Sequence, residues 1–339
     1  MIFNTLKKQK GLTLLELMIA VVLGIFITGG MIQLFINSKQ NYRVQENLSR
    51  LQENGRFAMD FIARDIRMTG YWGCLKNGLG NATNSLNPGG ANYDVNYHGF
   101  AEDILGLDDG ANPDTLTLRG AFNNGISVIT PYATSPSQEL KIPTDNGLVQ
   151  GDIVLISDCE QANIFQISNA DPSADGKITH TINNADDPGN INIADPTCDD
   201  TTAANHCFSK IYLGDASVYK ISTIVYSIQT GASGELALFR KIDGGADQEL
   251  IEGIEDMQIL YGEDTDNDST PNYYLPAGSL GLNLEQVVSI RVSLLATTLE
   301  DNLATQAVPY TIFGTQTTPD DRKIRRVITS TIAIRNRLP

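Results

Sequence analysis

A long apolar run near the N-terminus constrains this chain more than any other feature. Almost all of the 25 residues from Leu12 to Ile36 are apolar, and a helix of that length can span the ~30 Å hydrocarbon core of a membrane. The basic residues Lys7, Lys8 and Lys10 precede the run, which places the N-terminus in the cytoplasm by the positive-inside tendency. We therefore expect one membrane-spanning helix followed by a large outward domain.

Glu16 is the one charged residue in this run. A carboxylate in hydrocarbon costs on the order of several kcal/mol unless it finds a partner. An ordinary signal anchor leaves Glu16 unexplained, and a cleaved secretory peptide has a shorter apolar core with its small-residue cleavage site after that core. Here the small residue, Gly11, precedes the run, so we expect Glu16 to serve a function in this segment.

The string KGLTLLELMIA resembles the N-terminal signal of type IV prepilins, in which a short basic leader ends at a small residue and a glutamate follows shortly after the cut. The resemblance implies that the prepilin peptidase cuts between Gly11 and Leu12 and that the new amine on Leu12 is methylated. It also implies that Glu16 pairs with the N-terminal amine of a neighbouring subunit, which would remove two unsatisfied charges in one contact. Most family members have phenylalanine after the cut, where this chain has Leu12.

The helical pattern continues beyond the apolar run to about Thr69, and Gly70 is a typical stop. Apolar residues recur there at helical spacing, including Leu48, Leu51, Ala58, Ile62 and Ile66. After an 11-residue leader (1–11), we predict one long helix with two tasks. Residues 12–36 span the membrane and pack with other subunits, and residues 37–70 cover a sheet in the chain's own domain.

Residues 71–339 are predicted to form an outward, β-rich globular domain with long loops. Ser217–Gln229 is apolar on both faces and indicates a central strand. Val288–Ala296 alternates and indicates a half-buried antiparallel strand, a pattern that Ile324–Ile334 repeats. Residues 171–205 are rich in Asp, Asn, Pro and Gly and predict exposed loops. The expected fold class is therefore α+β and pilin-like, with the long N-terminal helix packed on an antiparallel sheet.

Three further segments resemble PilW-type minor pilins of type IV pili. GYWGC resembles the segment after the helix, EGIEDMQILYGEDTDND resembles a strand that runs into an acidic loop, and RRVITSTIAIRN resembles the final strand. The resemblance implies an inner-membrane protein that helps prime pilus assembly or forms the tip complex, in twitching motility and cell adhesion. Its implied partners are other minor pilins and the major pilin through the N-terminal helix, the prepilin peptidase and a tip adhesin.

Two other functions stay open at this point. A type II secretion pseudopilin carries the same N-terminal signal, and its deletion would block protein secretion instead of twitching and surface piliation. A membrane-anchored periplasmic binding protein would keep its leader and begin at Met1.

The four cysteines lie in the part predicted to be outside the cytoplasm, where disulfides persist. Four cysteines allow three pairings. Cys198 and Cys207 are nine residues apart and flank a polar loop, which favours that bridge and leaves Cys74 with Cys159. The alternative is a metal site with His206 between Cys198 and Cys207, although no second ligand pair at finger-like spacing occurs.

The alternating acids Asp264, Asp266 and Asp268 resemble the start of a calcium loop. The sixth position is Ser269 instead of glycine, and the twelfth is Leu275 instead of glutamate. A solvated acidic turn is therefore the favoured interpretation, and calcium binding is the alternative.

Charge and motif content argue against nucleic acid binding and catalysis. The net charge of −16 would repel phosphates. The local basic cluster near the C-terminus is interpreted as the exposed face of a strand: Arg322, Lys323, Arg325 and Arg326. The sequence has three histidines, all in loop-like contexts, and no catalytic motif at a strand-to-helix junction. We therefore expect neither an enzyme nor a cofactor.

Overall fold

The computed structural model describes residues 13–75, 78–110, 112–122, 124–182, 188–191 and 206–337. The helices are α1 (Leu14–Met68), α2 (Val95–His98) and α3 (Pro172–Asp175), with short 3-10 turns at Gly78–Asn81, Leu284–Gln286 and Arg335–Arg337. The strands, in chain order, are β1 (Ala82–Asn84), β2 (Ile104–Leu107), β3 (Thr115–Ala121), β4 (Ile126–Ser127), β5 (Leu140–Lys141), β6 (Ile153–Ser157), β7 (Ala162–Gln166), β8 (Lys177–Ile178), β9 (Ser217–Thr230), β10 (Leu236–Ile242), β11 (Gln248–Glu252), β12 (Ile254–Glu263), β13 (Tyr273–Leu275), β14 (Val287–Thr297), β15 (Tyr310–Ile312), β16 (Thr315–Thr317) and β17 (Arg325–Ala333).

The predicted long helix is confirmed as α1, which has 55 residues and is therefore about 82 Å long at 1.5 Å per residue. It begins at Leu14 and not at Leu12, because Thr13 is the N-cap and adopts extended backbone angles. Leu12 itself lies outside the described residues. At the other end, the side-chain amide of Asn336 donates to the carbonyl oxygens of Met68 (3.3 Å) and Thr69 (3.1 Å), so the chain's last described turn caps the helix.

A four-stranded antiparallel sheet in the order β13-β12-β14-β17 packs against the second half of α1. The helix approaches the sheet closely at Gly55, which is buried. A Cβ added at Gly55 would lie 2.1 Å from Ile328 Cδ1 and 3.3 Å from Ala296 Cβ. The helix therefore reaches the sheet this closely only because position 55 has no side chain.

A larger sheet, in the order β1-β7-β6-β9-β10-β11, lies beside the first, and β2, β3 and β4 join it through β9. The prediction that Ser217–Gln229 is a central strand is confirmed, since β9 pairs with β3, β4, β6 and β10. The main hydrophobic core joins α1 to both sheets. Its members with no exposed surface include Ala58, Ile62, Ile66, Leu118, Tyr226, Leu238, Tyr261 and Val292.

The expectation that Val288–Ala296 is half-buried is wrong, because both faces of β14 are covered. Ser293 is 0 % exposed and its hydroxyl lies 2.9 Å from that of Thr329 on β17. The hydroxyl of Ser289 lies 3.0 Å from that of Tyr274 on β13. Since β14 is flanked by β12 and β17, side chains from neighbouring strands cover its small outward residues.

The basic cluster is not a uniformly exposed face. Arg325 has only 8 % of its side chain exposed, and it forms ion pairs with Glu255 and Asp321, each at 2.6 Å. The hydrogen bond from Arg325 lowers the pKa of Asp321 to about 2. Arg326, by contrast, is exposed as predicted.

The prediction of exposed loops over residues 171–205 holds for only some of the described residues. Asp171, Ala174 and Asp175 are exposed, but other residues are not. Ile178 and His180 are fully buried, and Asn190 is 1 % exposed. The Asn190 side chain accepts from the backbone N–H of Gln166 (2.7 Å) and donates to its carbonyl (2.8 Å), so it replaces a strand partner at the edge of β7.

The predicted disulfide between Cys74 and Cys159 is confirmed, with a Cα–Cα distance of 4.7 Å. It joins the segment after α1 to the turn between β6 and β7. Cys207 also takes part in a disulfide, whereas Cys198 lies outside the described residues, so its pairing with Cys207 stays a prediction.

Candidate functional site

The first half of α1 has no packing partner within the described chain. The helix contains an 18-residue window of mean hydropathy 2.4 with none of that window buried, so by length and composition it could cross a membrane. Leu14 is 78 % exposed and Phe26 is 75 % exposed. A Cβ added at Gly24, Gly29 or Gly30 would meet nothing within 4 Å. We call residues Leu14–Ile36 the exposed helix half; its apolar surface must be covered by lipid or by other helices.

Glu16 lies in the first turn of this segment and closes a capping box with Thr13. The Glu16 backbone N–H donates to Thr13 Oγ1, and the Thr13 backbone N–H donates to Glu16 Oε2, both at 3.2 Å. The Thr13 hydroxyl donates to the same Oε2 at 3.2 Å. A carboxylate at this position also interacts favourably with the positive end of the helix dipole.

The capping box gives Thr13 a role that the sequence reasoning missed. The signal was present, because threonine followed three residues later by glutamate at the start of a helix is a capping-box pattern. The predicted cleavage and methylation residues, Gly11 and Leu12, lie outside the described residues. Among the described residues, Glu16 Oε1 has no hydrogen-bond partner, so the capping box leaves one carboxylate oxygen for a further contact.

An ion pair and a buried hydrogen bond join the second half of α1 to the globular domain, and the exposed helix half projects from this part of the helix. Arg43 forms an ion pair with Glu300 at 2.6 Å, just beyond the exposed half. Farther along, the buried Asp65 carboxylate accepts from the Tyr226 hydroxyl at 2.6 Å. Burial raises the pKa of Asp65 above its usual range, although the Tyr226 hydrogen bond acts in the opposite direction.

The predicted acidic turn at Asp264, Asp266 and Asp268 does bring its carboxylates together. Their potential ligand oxygens all lie within 4.8 Å of one another. Asp264 is already engaged, because its carboxylate accepts from the backbone N–H groups of Asp268 (3.3 Å) and Ser269 (2.7 Å). These bonds are those of a self-contained turn, and calcium binding there stays an untested alternative.

Two histidines that the sequence placed in loops form a buried pair. His180 Nε2 donates to the carbonyl of Gln138 (2.9 Å), which leaves His180 Nδ1 as an acceptor 3.0 Å from His206 Nδ1. The rings lie against Phe165 and Phe208. Burial lowers the pKa of both imidazoles, and each therefore stays neutral at pH 7. The pair supports the packing of this region, and no third metal-ligating residue joins it in the described part of the chain.

Two family models match the chain. Residues 225–336, from β9 to the C-terminal turn, match the type IV pilus-assembly protein W family, PilW. Residues 6–32 match the prokaryotic N-terminal methylation motif, which covers most of the exposed helix half and Glu16. No curated protein and no solved structure matched the chain.

Proposed function

We propose that this type IV pilin of the PilW type, which carries a prepilin N-terminal signal, is cut between Gly11 and Leu12 and methylated on Leu12. It then helps to prime pilus assembly or forms the tip complex as a minor pilin. The observation that carries the proposal is the exposed helix half, a long apolar surface that begins with a capped carboxylate and projects from a folded domain.

The physical basis is that this surface needs cover both before and after assembly. Lipid covers it while the chain waits in the inner membrane, with its N-terminus cytoplasmic and its domain periplasmic. Helices of other minor pilins and of the major pilin replace the lipid as the subunit enters the fibre, which then carries the domain outside the cell. The small residues Gly24, Gly29 and Gly30 permit close helix approach.

Glu16 selects the partner in this proposal. A carboxylate among apolar helices is tolerated when a positive group pairs with it. Leader removal creates such a group at Leu12 of each subunit. The oxygen that the capping box leaves without a bond would accept from the amine of a neighbouring subunit, while the other oxygen keeps Thr13 in place.

In this proposal each segment of the chain has its own task. Residues 1–11 are a leader, 12–36 the membrane and assembly segment, 37–70 the amphipathic half of the helix and 71–339 the globular pilin domain. The prepilin peptidase is the first partner, and a tip adhesin is a further one.

A comparison of three variants tests the role of Glu16. Glu16→Gln keeps an amide oxygen for the capping box and removes the charge, whereas Thr13→Val removes the cap and keeps the charge. We expect Glu16→Gln and Glu16→Ala to lower incorporation into pilus fractions at least about tenfold, since each loses an ion pair. We expect Thr13→Val to assemble nearly normally, because a lost cap costs only ~1 kcal/mol.

The readout is the amount of the chain in sheared fibres relative to membranes, with leader removal followed by mass. All three variants are expected to be cleaved and inserted. Full incorporation of Glu16→Gln would contradict the proposed pairing. A defect in Thr13→Val and Glu16→Ala, with normal assembly of Glu16→Gln, would assign Glu16 to helix capping alone.

A further inference from the structure

The last strand of the four-stranded sheet has one open edge. β17 pairs with β14 over its whole length in an uninterrupted register, from Ser289 opposite Ala333 to Thr297 opposite Arg325. Among the described residues, no strand pairs with the other edge of β17. β15 packs close to β17, with Tyr310 near Arg325 at the start of the strand, but it forms no ladder with β17.

The backbone groups that point to the open edge follow from the flanking hydrogen bonds. The Thr298 N–H donates to the Ile324 carbonyl (3.0 Å), and the Ile334 N–H donates to the Val288 carbonyl (2.9 Å). In an antiparallel ladder, hydrogen-bonded and non-hydrogen-bonded pairs alternate. Even-numbered residues of β17 therefore bond to β14, and the N–H and C=O groups of the odd-numbered residues point away from it. The exposed members of this outward set are Thr329, Thr331 and Ala333.

This edge lacks the features that usually protect a free strand. Its sequence, RRVITSTIA, is rich in β-branched residues, contains no proline and forms no bulge. Arg325 is committed to its ion pairs, which leaves Arg326 as the only exposed charge on the strand. Beside the edge, a groove of about 790 Å³ runs between β17 and the face of α1 that includes Arg56 and Asp60.

The opposite edge of the same sheet is blocked. β13 has only three residues and lies between Pro271 and Pro276. Proline removes a backbone donor and does not extend a ladder. The acidic turn that contains Asp266 and Asp268 precedes β13 and adds charge at this side of the sheet. The sheet can therefore be extended at β17 but not at β13.

We propose that the β17 edge accepts a proline-free strand from a different pilus subunit that sits in the membrane in the same orientation. This inference rests on the proposed function, since the shared membrane fixes the orientation of the partner. The outward groups of Thr329, Thr331 and Ala333 form the new ladder, and the groove beside α1 receives the partner's side chains on that face.

Two geometric arguments disfavour pairing between β17 and either edge of the same four-stranded sheet in a second copy of this chain. Antiparallel pairing of β17 with another β17 requires a two-fold axis perpendicular to the sheet. Such an axis reverses α1, so the two exposed helix halves could not enter one membrane. A copy related by translation keeps the helices parallel, but it presents the short, proline-bounded β13.

Residue-resolved hydrogen exchange tests the inference on the full chain. The chain purified alone in detergent is compared with the chain in complexes of pilus subunits isolated from native inner membranes. We expect the amides of Thr329, Thr331 and Ala333 to exchange about 100-fold more slowly in the complexes. The alternate amides of Ile328, Ser330 and Ile332, which bond to β14, are protected in both samples.

A matched pair of variants supplies the second readout. Thr331→Pro removes an outward donor, whereas Thr331→Val keeps it, and both lose the hydrogen bond from Arg291 Nε to Thr331 Oγ1. We expect Thr331→Pro, but not Thr331→Val, to reduce recovery of the chain in the complexes at least about tenfold. Protection of Ile328, Ser330 and Ile332 verifies that the variants fold.

Equal exchange of the outward amides in the two samples would overturn the inference, as would their protection in the purified chain alone, which would indicate self-association. A chain that is cleaved and recruited while these amides stay unprotected refutes only this inference. Retention of the leader refutes the proposed function instead.

Discussion

The buried His180–His206 pair makes a quantitative prediction about acid stability. The unfolded chain has histidines with a pKa near ~6.5, whereas burial lowers the pKa of His180 to about 3 and of His206 to about 4 in the folded protein. Between those limits the unfolded state binds more protons, so the free energy of unfolding falls as the pH falls. From pH 7.5 to pH 5 the loss is about 2 kcal/mol for each histidine, or ~4 kcal/mol for the pair.

Asp114 opposes this effect and must be separated from it. Burial raises its pKa to about 6, although its carboxylate accepts from the Ile259 backbone N–H at 2.7 Å. The folded state therefore takes up this proton before the unfolded state does, which stabilises the fold by ~1 kcal/mol between pH 7.5 and 5. The pKa of Asp65, Asp243 and Asp256 is also raised by burial, with the same sign.

A variant without the two imidazoles isolates their contribution. In His180→Gln/His206→Gln the amides can still form hydrogen bonds but do not titrate, while all the carboxylates remain. Urea unfolding of the full chain in detergent at pH 7.5 and pH 5 gives the loss of stability for each protein. We expect the wild type to lose ~4 kcal/mol more than the variant over this range.

A second measurement does not depend on the variant. The imidazole carbon resonances of His180 and His206 in the folded wild type are expected to stay unchanged between pH 7.5 and 5. Equal pH dependence of wild type and variant, or titration of either imidazole near its ordinary pKa, would refute the burial argument.

Two further perturbations test the packing of the domain. Gly55→Leu is expected to lower the free energy of unfolding by about 1–3 kcal/mol, because the leucine side chain would overlap Ile328. Gly30→Leu, on the exposed helix half, is the control. Equal thermal stability of the two variants would contradict the described contact between Gly55 and Ile328. Replacing both Cys74 and Cys159 with serine is expected to destabilise the domain by about 2–4 kcal/mol, since the bridge spans 85 residues. An unchanged midpoint of urea unfolding would contradict this stabilising role of the disulfide.

Several features of the fold follow from the sequence because each rests on a local pattern. The apolar run and the helical spacing after it predict α1 almost to its last residue. Apolar or alternating residues predict the strands β9, β14 and β17. The Cys74–Cys159 bridge followed from the short separation of the other two cysteines.

Other features depend on which segments meet, and the sequence pattern does not report this. His180 and His206 lie in polar segments 26 residues apart, yet they are buried against each other because Phe165 and Phe208 converge on them. Arg325 is a charged residue in an alternating strand, which is typical of a side chain that faces solvent. Its side chain is largely buried because Glu255 and Asp321 form ion pairs with it. The open edge of β17 is likewise a property of the sheet order, which only the assembled topology gives.

The most direct test of the account is the intact mass and N-terminal sequence of the chain recovered from sheared pili and from inner membranes. The account predicts a polypeptide that begins at Leu12 with a methylated amine in both fractions. A chain from either fraction that still carries residues 1–11 would contradict it, because Glu16 would then have no neighbouring amine to pair with.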